Sequence, residues 1–177
     1  MVSHFSYMTC GTKSGHVRYV EDSPSGKPFN TFFTMGELLG EGNHSYIYQA
    51  VRNSTREQYA VKHIDLSRLQ PSDRETIEEE IASLRLLRGG PNIVRMFDVF
   101  EELEDIYLVF EQMKGGNLLS RISEKEVYTE REARQVCKIA FTAVDYCHKK
   151  KVAHRDIKPE NFLLVVGDEC VHGLQKD

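Results

Sequence analysis

The sequence predicts an α+β domain in which strands come first and helices follow. Three observations predict it. Alternating, β-branched and aromatic stretches fill the region from Phe32 to Met113. One capped helical pattern interrupts them. The longest helical periodicity comes after them, from Thr129 to Lys151. The order is hairpin, helix, hairpin, then helices, with no internal repeat.

Composition limits what such a domain can be. With 40% hydrophobic and 28% charged residues, the 177-residue chain can build a core and is not disordered throughout. A net charge of -4 and a pI near 6.0 give no reason to expect nucleic acid as a partner. No apolar run approaches the roughly 18 residues of a membrane helix, so no membrane is expected. The start "MVSHFSYMTCGTK" lacks the charged and apolar regions of a secretory signal and has no Gly at position 2. Cys10, Cys137, Cys147 and Cys170 form no C-x-x-C pair, which predicts reduced thiols in the cytoplasm or nucleus and no zinc.

The elements follow in order. Residues 1–28, with "EDSPSGKP", predict a mobile tail. "FFTMGELLG" is a short apolar run ending in glycine. "SYIYQAV" and "EQYAVKHI" predict strands around the turn "RNSTRE", which places Gly40 to Gly42 in a β-hairpin. "PSDRETIEEEIASLRLLRGGP" predicts a helix opened by a Ser72–Glu75 capping box and closed by Gly89, Gly90 and Pro91. Its apolar face is Ile77, Ile81, Leu84 and Leu87. "NIVRMFDVFEE" and "DIYLVFEQM" predict two more strands, "KGGN" breaks the pattern, and a short helix is expected over Leu118 to Ser123. The long helix opens with a Thr129–Glu132 capping box. Ala133, Val136, Cys137, Ala140, Val144 and Cys147 mark its expected buried face.

The glycines of "LGEGNHSYI" are spaced Gly40-x-Gly42-x-x-Ser45. An ordinary glycine-rich turn would look the same in isolation. A dinucleotide fold would need a helix directly after the glycines, whereas β-prone Tyr46, Ile47 and Tyr48 follow. A P-loop would need G-x-x-x-x-G-K-[ST], which is absent. What remains is a glycine hairpin whose backbone amides can approach phosphate. Lys62, in "YAVKHI", shares a strand face with Ala60. It reads either as a solvent-facing edge lysine or as an inward charge that needs anionic partners. Glu80 best borders the apolar face of the following helix and is the candidate carboxylate. Glu78 and Glu79 read as solvated surface.

At "HRDIKPEN" the sequence becomes specific. "GEGNHS", "YAVK", "EIASL" and "HRDIKPEN" resemble, in order, the signature set of the eukaryotic protein kinases. The resemblance covers about Phe33 to Leu164. "YLVFEQMKGGNLLSRI" and "TEREA" look most like the calcium/calmodulin-dependent kinase group, and "DIKPEN" looks like the Ser/Thr class. The resemblance implies a protein-kinase-like fold with a flexible tail (1–28), a small lobe (29–113) and the first part of a helical large lobe (114–177).

It also implies ATP and Mg²⁺ as cofactors and a protein substrate. Asp156 would orient the substrate hydroxyl, Lys158 would neutralise the moving phosphoryl group, and Asn161 would hold one Mg²⁺. Lys62 would grip the α- and β-phosphates and pair with Glu80. The hairpin Gly40, Glu41, Gly42, Asn43, His44, Ser45 and Tyr46 would cover the phosphates, with Ser45 in place of the family's third glycine. Leu39, Ile47, Ala60 and Leu163 would sandwich adenine, and backbone groups of Glu111 and Met113 would bond it. Phe110 would back the pocket. Arg155 would meet a phosphorylated loop, and His154 reads as packing. Glu160 implies a basic substrate sequence, although Asn117 stands where an acidic residue would strengthen that preference.

The sequence departs from the family after the loop. No "DFG" and no "APE" occur. Asp177, sixteen positions after Asn161, stands at a suitable separation for the missing Asp, but Gln175 and Gly173 precede it where apolar residues are wanted. One expectation is therefore a Ser/Thr kinase represented by a fragment or short product. The other is a non-catalytic module that binds nucleotide or competes for a kinase's partners. The long helix is expected to expose apolar surface that a partner chain would cover.

Overall fold

The computed structural model describes residues 8–10, 27–42, 45–125 and 127–165, with backbone alone for 8–10, Pro71 and Ser72. Asn43, His44, Cys170, Asp177 and most of the expected tail lie outside these residues, as does the Ser72 side chain of the expected capping box. The elements run β1 (Met8–Cys10), α1 (Phe29–Phe32), β2 (Phe33–Glu41), β3 (Ser45–Arg52), β4 (Gln58–Asp65) and α2 (Pro71–Leu87). Then follow β5 (Met96–Glu101), β6 (Asp105–Glu111), α3 (Leu118–Glu124), α4 (Glu130–Lys149) and β7 (Phe162–Leu164). The chain divides into two units. One holds the described residues from 27 through Ala82 and Arg95–Gln112; the other holds Ser83–Val94, the described residues from Met113 onward, and β1.

The first unit is an antiparallel sheet of order β2-β3-β4-β6-β5. One face carries Phe29, Phe33, Ala50, Tyr59, Val61, Phe100 and Val109, all buried in one cluster. Phe29 stacks on Phe33 at 5.3 Å and on Tyr107 at 4.4 Å, and meets Phe100 edge-on at 5.5 Å. Such ring pairs add to the area they bury. The short α1 that brings Phe29 there is not among the expected elements, because four residues are too few to show a helical period.

Two expectations need correction. The strand expected from Asn92 begins at Met96. Ile93 is buried instead with Leu87, Leu118, Ala143, Cys147 and Phe162. For that reason residues 83–94 join the second unit rather than the small lobe. The expected tail also holds a strand, since Met8–Cys10 pairs in parallel with β7.

In α2, Ile77, Ile81, Leu84 and Leu87 are all buried as their spacing predicts. Gly89, at φ 77°, supplies the left-handed residue that ends the helix. In α4 the expected face is only partly right. Cys147 is buried, Val136, Ala140 and Val144 pack on the core, but Ala133 and Cys137 are exposed. Ala143 takes their place in the core. The exposed side is apolar too: Phe141 is 72% exposed and, with Cys137 and Thr142, borders an open groove flanked by Arg134, Lys138 and Asp145. No helix among the described residues is long and apolar enough to cross a membrane.

The start of α4 is fixed by the predicted capping box. Thr129 Oγ1 accepts from the Glu132 amide at 3.3 Å, and Glu132 Oε2 accepts from the Thr129 amide at 2.9 Å. Lys125 also donates to Glu132. Hydrogen bonding from Lys125 first, then from Thr129, lowers the Glu132 carboxyl to about 2. A depressed carboxyl stabilises the fold above its ordinary value and loses that contribution as pH falls through the folded one. Thr129→Ala should cost about 1 kcal/mol in urea unfolding at neutral pH. In the unaltered chain, amide protection in the first turn of α4 should persist through the ordinary carboxylate range and disappear near pH 2.

Candidate active site

The candidate residues fall in both units, and each group has its own geometry. In the first unit β2 and β3 form the predicted hairpin. Gly40 pairs with Ile47 and Glu41 with Tyr46, with register shifts on β2 around Leu38. The Gly42 amide donates to the Ser45 carbonyl at 2.7 Å, closing the turn. A Cβ placed on Gly40 would meet nothing within 4 Å, so glycine is not needed there for packing against the protein. Ser45, in place of the third glycine, is buried and paired with Ile64.

Lys62 lies opposite Ile47 on β3 and Leu108 on β6, and Ala60 lies opposite Phe110. Cross-strand partners share a face, so Ile47, Ala60, Lys62 and Phe110 lie on one side of the sheet. That side is opposite the aromatic cluster, because Tyr59 and Val61 alternate with them. Lys62 is 2% exposed and Glu80 4%, and Lys62 Nζ donates to Glu80 Oε1 at 2.8 Å. The edge-lysine reading is thus excluded. Glu80 Oε2 is buried without a hydrogen-bond partner. Leu39 is half-exposed. The Glu111 amide donates to the Arg95 carbonyl at 3.0 Å, so that amide is already used. Tyr46 departs from expectation. It alternates away from Ile47 and its ring lies 6.3 Å from that of Tyr48. Only its backbone can serve the hairpin.

In the second unit α4 leads through Lys151 (φ 63°) into the loop 152–161. His154 is buried, and its Nδ1 accepts from the Asp156 amide at 3.2 Å. It packs and shapes the loop, as expected. Arg155 is exposed with φ 64°, a left-handed backbone that costs a non-glycine residue energy. Nothing in the sequence signals that conformation. Asn161 Nδ2 donates to the Asp156 carbonyl at 2.6 Å and to Asp156 Oδ2 at 2.9 Å. Lys158 Nζ lies 3.0 Å from Asp156 Oδ2. Hydrogen bonds from Lys158, then from Asn161, hold the Asp156 carboxyl below its ordinary value.

β7 follows at once, with Leu163 half-buried between buried Phe162 and Leu164. Met113 begins this unit and is half-buried. Asn117 serves the fold, since its Oδ1 caps α3 by accepting from the Ser120 amide at 2.8 Å. Gly115 is not among the expected site residues. Its amide donates to the Leu164 carbonyl at 2.9 Å, and it lies too close to Leu164 to carry a side chain.

These donors suit a magnesium nucleotide. Asn161 spends its amide nitrogen on Asp156, which leaves Oδ1 to coordinate, and Mg²⁺ takes hard oxygen ligands such as this and a carboxylate. The buried ammonium of Lys62 supplies fixed charge, and the open space over Gly40 lets backbone approach a phosphate.

A buried Lys–Glu pair on a sheet, and a loop in which an Asp is bonded by Asn and Lys, are groups of the kind that phosphoryl-transfer proteins use. The model of the protein kinase domain matches residues 33–171. The chain belongs to the protein kinase family. It is 43% identical over 140 residues to ribosomal protein S6 kinase 2 beta of Xenopus laevis, covering 77% of this chain and 21% of that protein. It is 38% identical over 147 residues to calcium-dependent protein kinase 24 of Arabidopsis thaliana, covering 82% and 25%. It is 38% identical over 138 residues to calcium-dependent protein kinase 2 of Zea mays, covering 77% and 27%. The likeness to Ser/Thr kinases of the calcium-dependent type stands. The chain spans about a fifth to a quarter of the length of these relatives.

Proposed function

We propose that the chain carries the nucleotide-binding lobe and catalytic loop of a serine/threonine protein kinase, which passes the ATP γ-phosphate to protein hydroxyls. The observation that carries this reading is the buried Lys62–Glu80 pair at 2.8 Å. A buried ion pair is weak evidence for stability, so its presence calls for another use of the charge. Mg-ATP, when bound, brings the transferable phosphoryl group and a cation that neutralises it. Lys62 would hold the α- and β-phosphate oxygens, with Glu80 fixing its direction. The β2–β3 hairpin would lie over the phosphates, with the Gly42 amide already used by the Ser45 carbonyl. Asn161 Oδ1 would serve as metal ligand. Asp156, kept ionised by Lys158 and Asn161, accepts the hydrogen bond of the incoming hydroxyl, and Lys158 offsets charge on the phosphoryl group. A basic substrate sequence rests on Glu160 alone. The free thiols of Cys137 and Cys147 support the cytoplasm or nucleus as compartment.

A second reading concerns these 177 residues by themselves. They contain no D-F-G, and Mg²⁺ in phosphate enzymes usually takes one or two carboxylates besides phosphate. By themselves they bind nucleotide weakly without fast transfer. Calorimetric titration of the chain with Mg-ATP should give measurable binding that Lys62→Met abolishes and Gly40→Ala weakens without changing the unfolding midpoint. Peptide phosphorylation should stay well below the roughly 1–100 s⁻¹ of ordinary kinases. Binding that is indifferent to Lys62→Met would refute the nucleotide site, and ordinary turnover would refute the second reading.

A further inference from the structure

β6 ends at Glu111, and its last pairing departs from a regular ladder. Met96 lies opposite Phe110, so Arg95 faces Glu111. Directly opposed residues in an antiparallel pair either exchange two backbone bonds or exchange none. Here the first of the two is made, with the Glu111 amide donating to the Arg95 carbonyl at 3.0 Å. The Arg95 amide takes a different acceptor. It donates to Oε1 of the Glu111 carboxylate at 2.6 Å.

The side chain of Glu111 therefore stands where its own carbonyl would stand in a regular pair. A charged acceptor makes the stronger and shorter bond, so the carboxylate holds this place against the carbonyl. Arg95 and Glu111 both belong to the first unit. On the other side of β6, Glu111 lies opposite Tyr59 and Phe110 opposite Ala60, so the contact sits beside the residues expected around adenine.

We propose that the Glu111 carboxylate is a positioning residue for base selectivity: by accepting the Arg95 amide it releases the Glu111 carbonyl from that amide and sets the carbonyl's direction. This role rests on the nucleotide site proposed above, where backbone groups of Glu111 bond adenine. A carbonyl accepts from the exocyclic amino group of adenine. Guanine carries an oxygen at the same ring position, which would leave two acceptors facing each other. A carbonyl held in one direction separates the two bases. One that swings back onto the Arg95 amide separates them less.

Calorimetric titration of the full chain with Mg-ATP and with Mg-GTP tests it. Glu111→Ala removes the acceptor, and Glu111→Gln keeps an oxygen at the same place. The ratio of ATP to GTP affinity should fall by roughly 2–10-fold in the alanine variant, the net worth of one hydrogen bond. The glutamine variant should restore it. In the nucleotide-free chain the Arg95 amide proton resonance should move in both variants, because a charged acceptor is lost. The Val61 amide, in the same sheet, should stay in place.

An unchanged ratio in Glu111→Ala would overturn the proposal, as would a ratio that glutamine fails to restore. An Arg95 resonance unmoved in both variants overturns the contact itself. Lys62→Met tells this role apart from the site as a whole. Binding indifferent to Lys62→Met overturns the nucleotide site and this role with it. Binding lost in Lys62→Met, with the ratio unchanged in Glu111→Ala, overturns the role of Glu111 alone. If Glu111→Ala fails to fold, Glu111→Asp, one methylene short of the Arg95 amide, replaces it with the same expected fall.

Discussion

Replacing Glu80 by leucine should destabilise the chain by about 3–5 kcal/mol, the usual cost of removing one partner from a buried ion pair. Lys62 is 2% exposed and held by Glu80 Oε1 at 2.8 Å, so the variant takes the carboxylate partner away from a buried ammonium. Urea unfolding reads this as a lower midpoint at unchanged slope. The double variant Lys62→Met/Glu80→Leu removes both charges. It should recover most of the lost stability, since apolar replacement of buried pairs is often neutral or stabilising. It should not recover Mg-ATP binding. Recovery of stability without binding separates what the pair does for the fold from what it does for the nucleotide. A Glu80→Leu variant as stable as the parent would mean that Lys62 does not depend on Glu80.

Gly115→Ala should give the second large effect. A Cβ on Gly115 would lie 2.6 Å from the Leu164 carbonyl oxygen and 2.7 Å from the Leu164 Cβ. The first of these is backbone, so it cannot step aside as a flexible side chain would. Relief requires separation of Gly115 from Leu164, which breaks the 2.9 Å hydrogen bond between them. Overpacking alone typically costs about 1–3 kcal/mol, and the lost backbone bond adds to it. Gly116 is the control. Its φ of +74° penalises alanine, but the space around it is open. Gly116→Ala should cost only the left-handed conformation, about 1–2 kcal/mol. Circular dichroism melts of the two variants, with amide exchange at Leu164, check the order. Equal destabilisation would mean that the close approach of Gly115 to Leu164 is not rigid.

Much of this molecule is legible in its sequence. The β2–β3 hairpin, the α2 face of Ile77, Ile81, Leu84 and Leu87, and the Thr129–Glu132 box are readable because each depends on residues within a turn or two of one another. Lys62, Asp156, Lys158 and Asn161 stand out in the sequence because they fall in the family's motifs in order, and the structure brings Lys62 to Glu80 and both Lys158 and Asn161 to Asp156. The misreadings share another cause. Ile93 and Val94 look like strand, but Ile93 is claimed by the core around Leu87 and Cys147. Cys137 has the right period on α4, yet no described residue covers it and it stays exposed. Tyr46 sits in the expected motif but on the other face of the sheet.

The order of elements and their caps follow from local periodicity and functional-group type, and so could be read in advance. Packing alone reveals that Lys62 is buried against Glu80, that Gly115 must remain bare, that Arg155 bends left-handed, and that residues 8–10 meet β7. Each of these depends on groups far apart in the chain or on a local conformation that only the surrounding packing imposes. No sequence window short enough to read contains both the constraint and its cause.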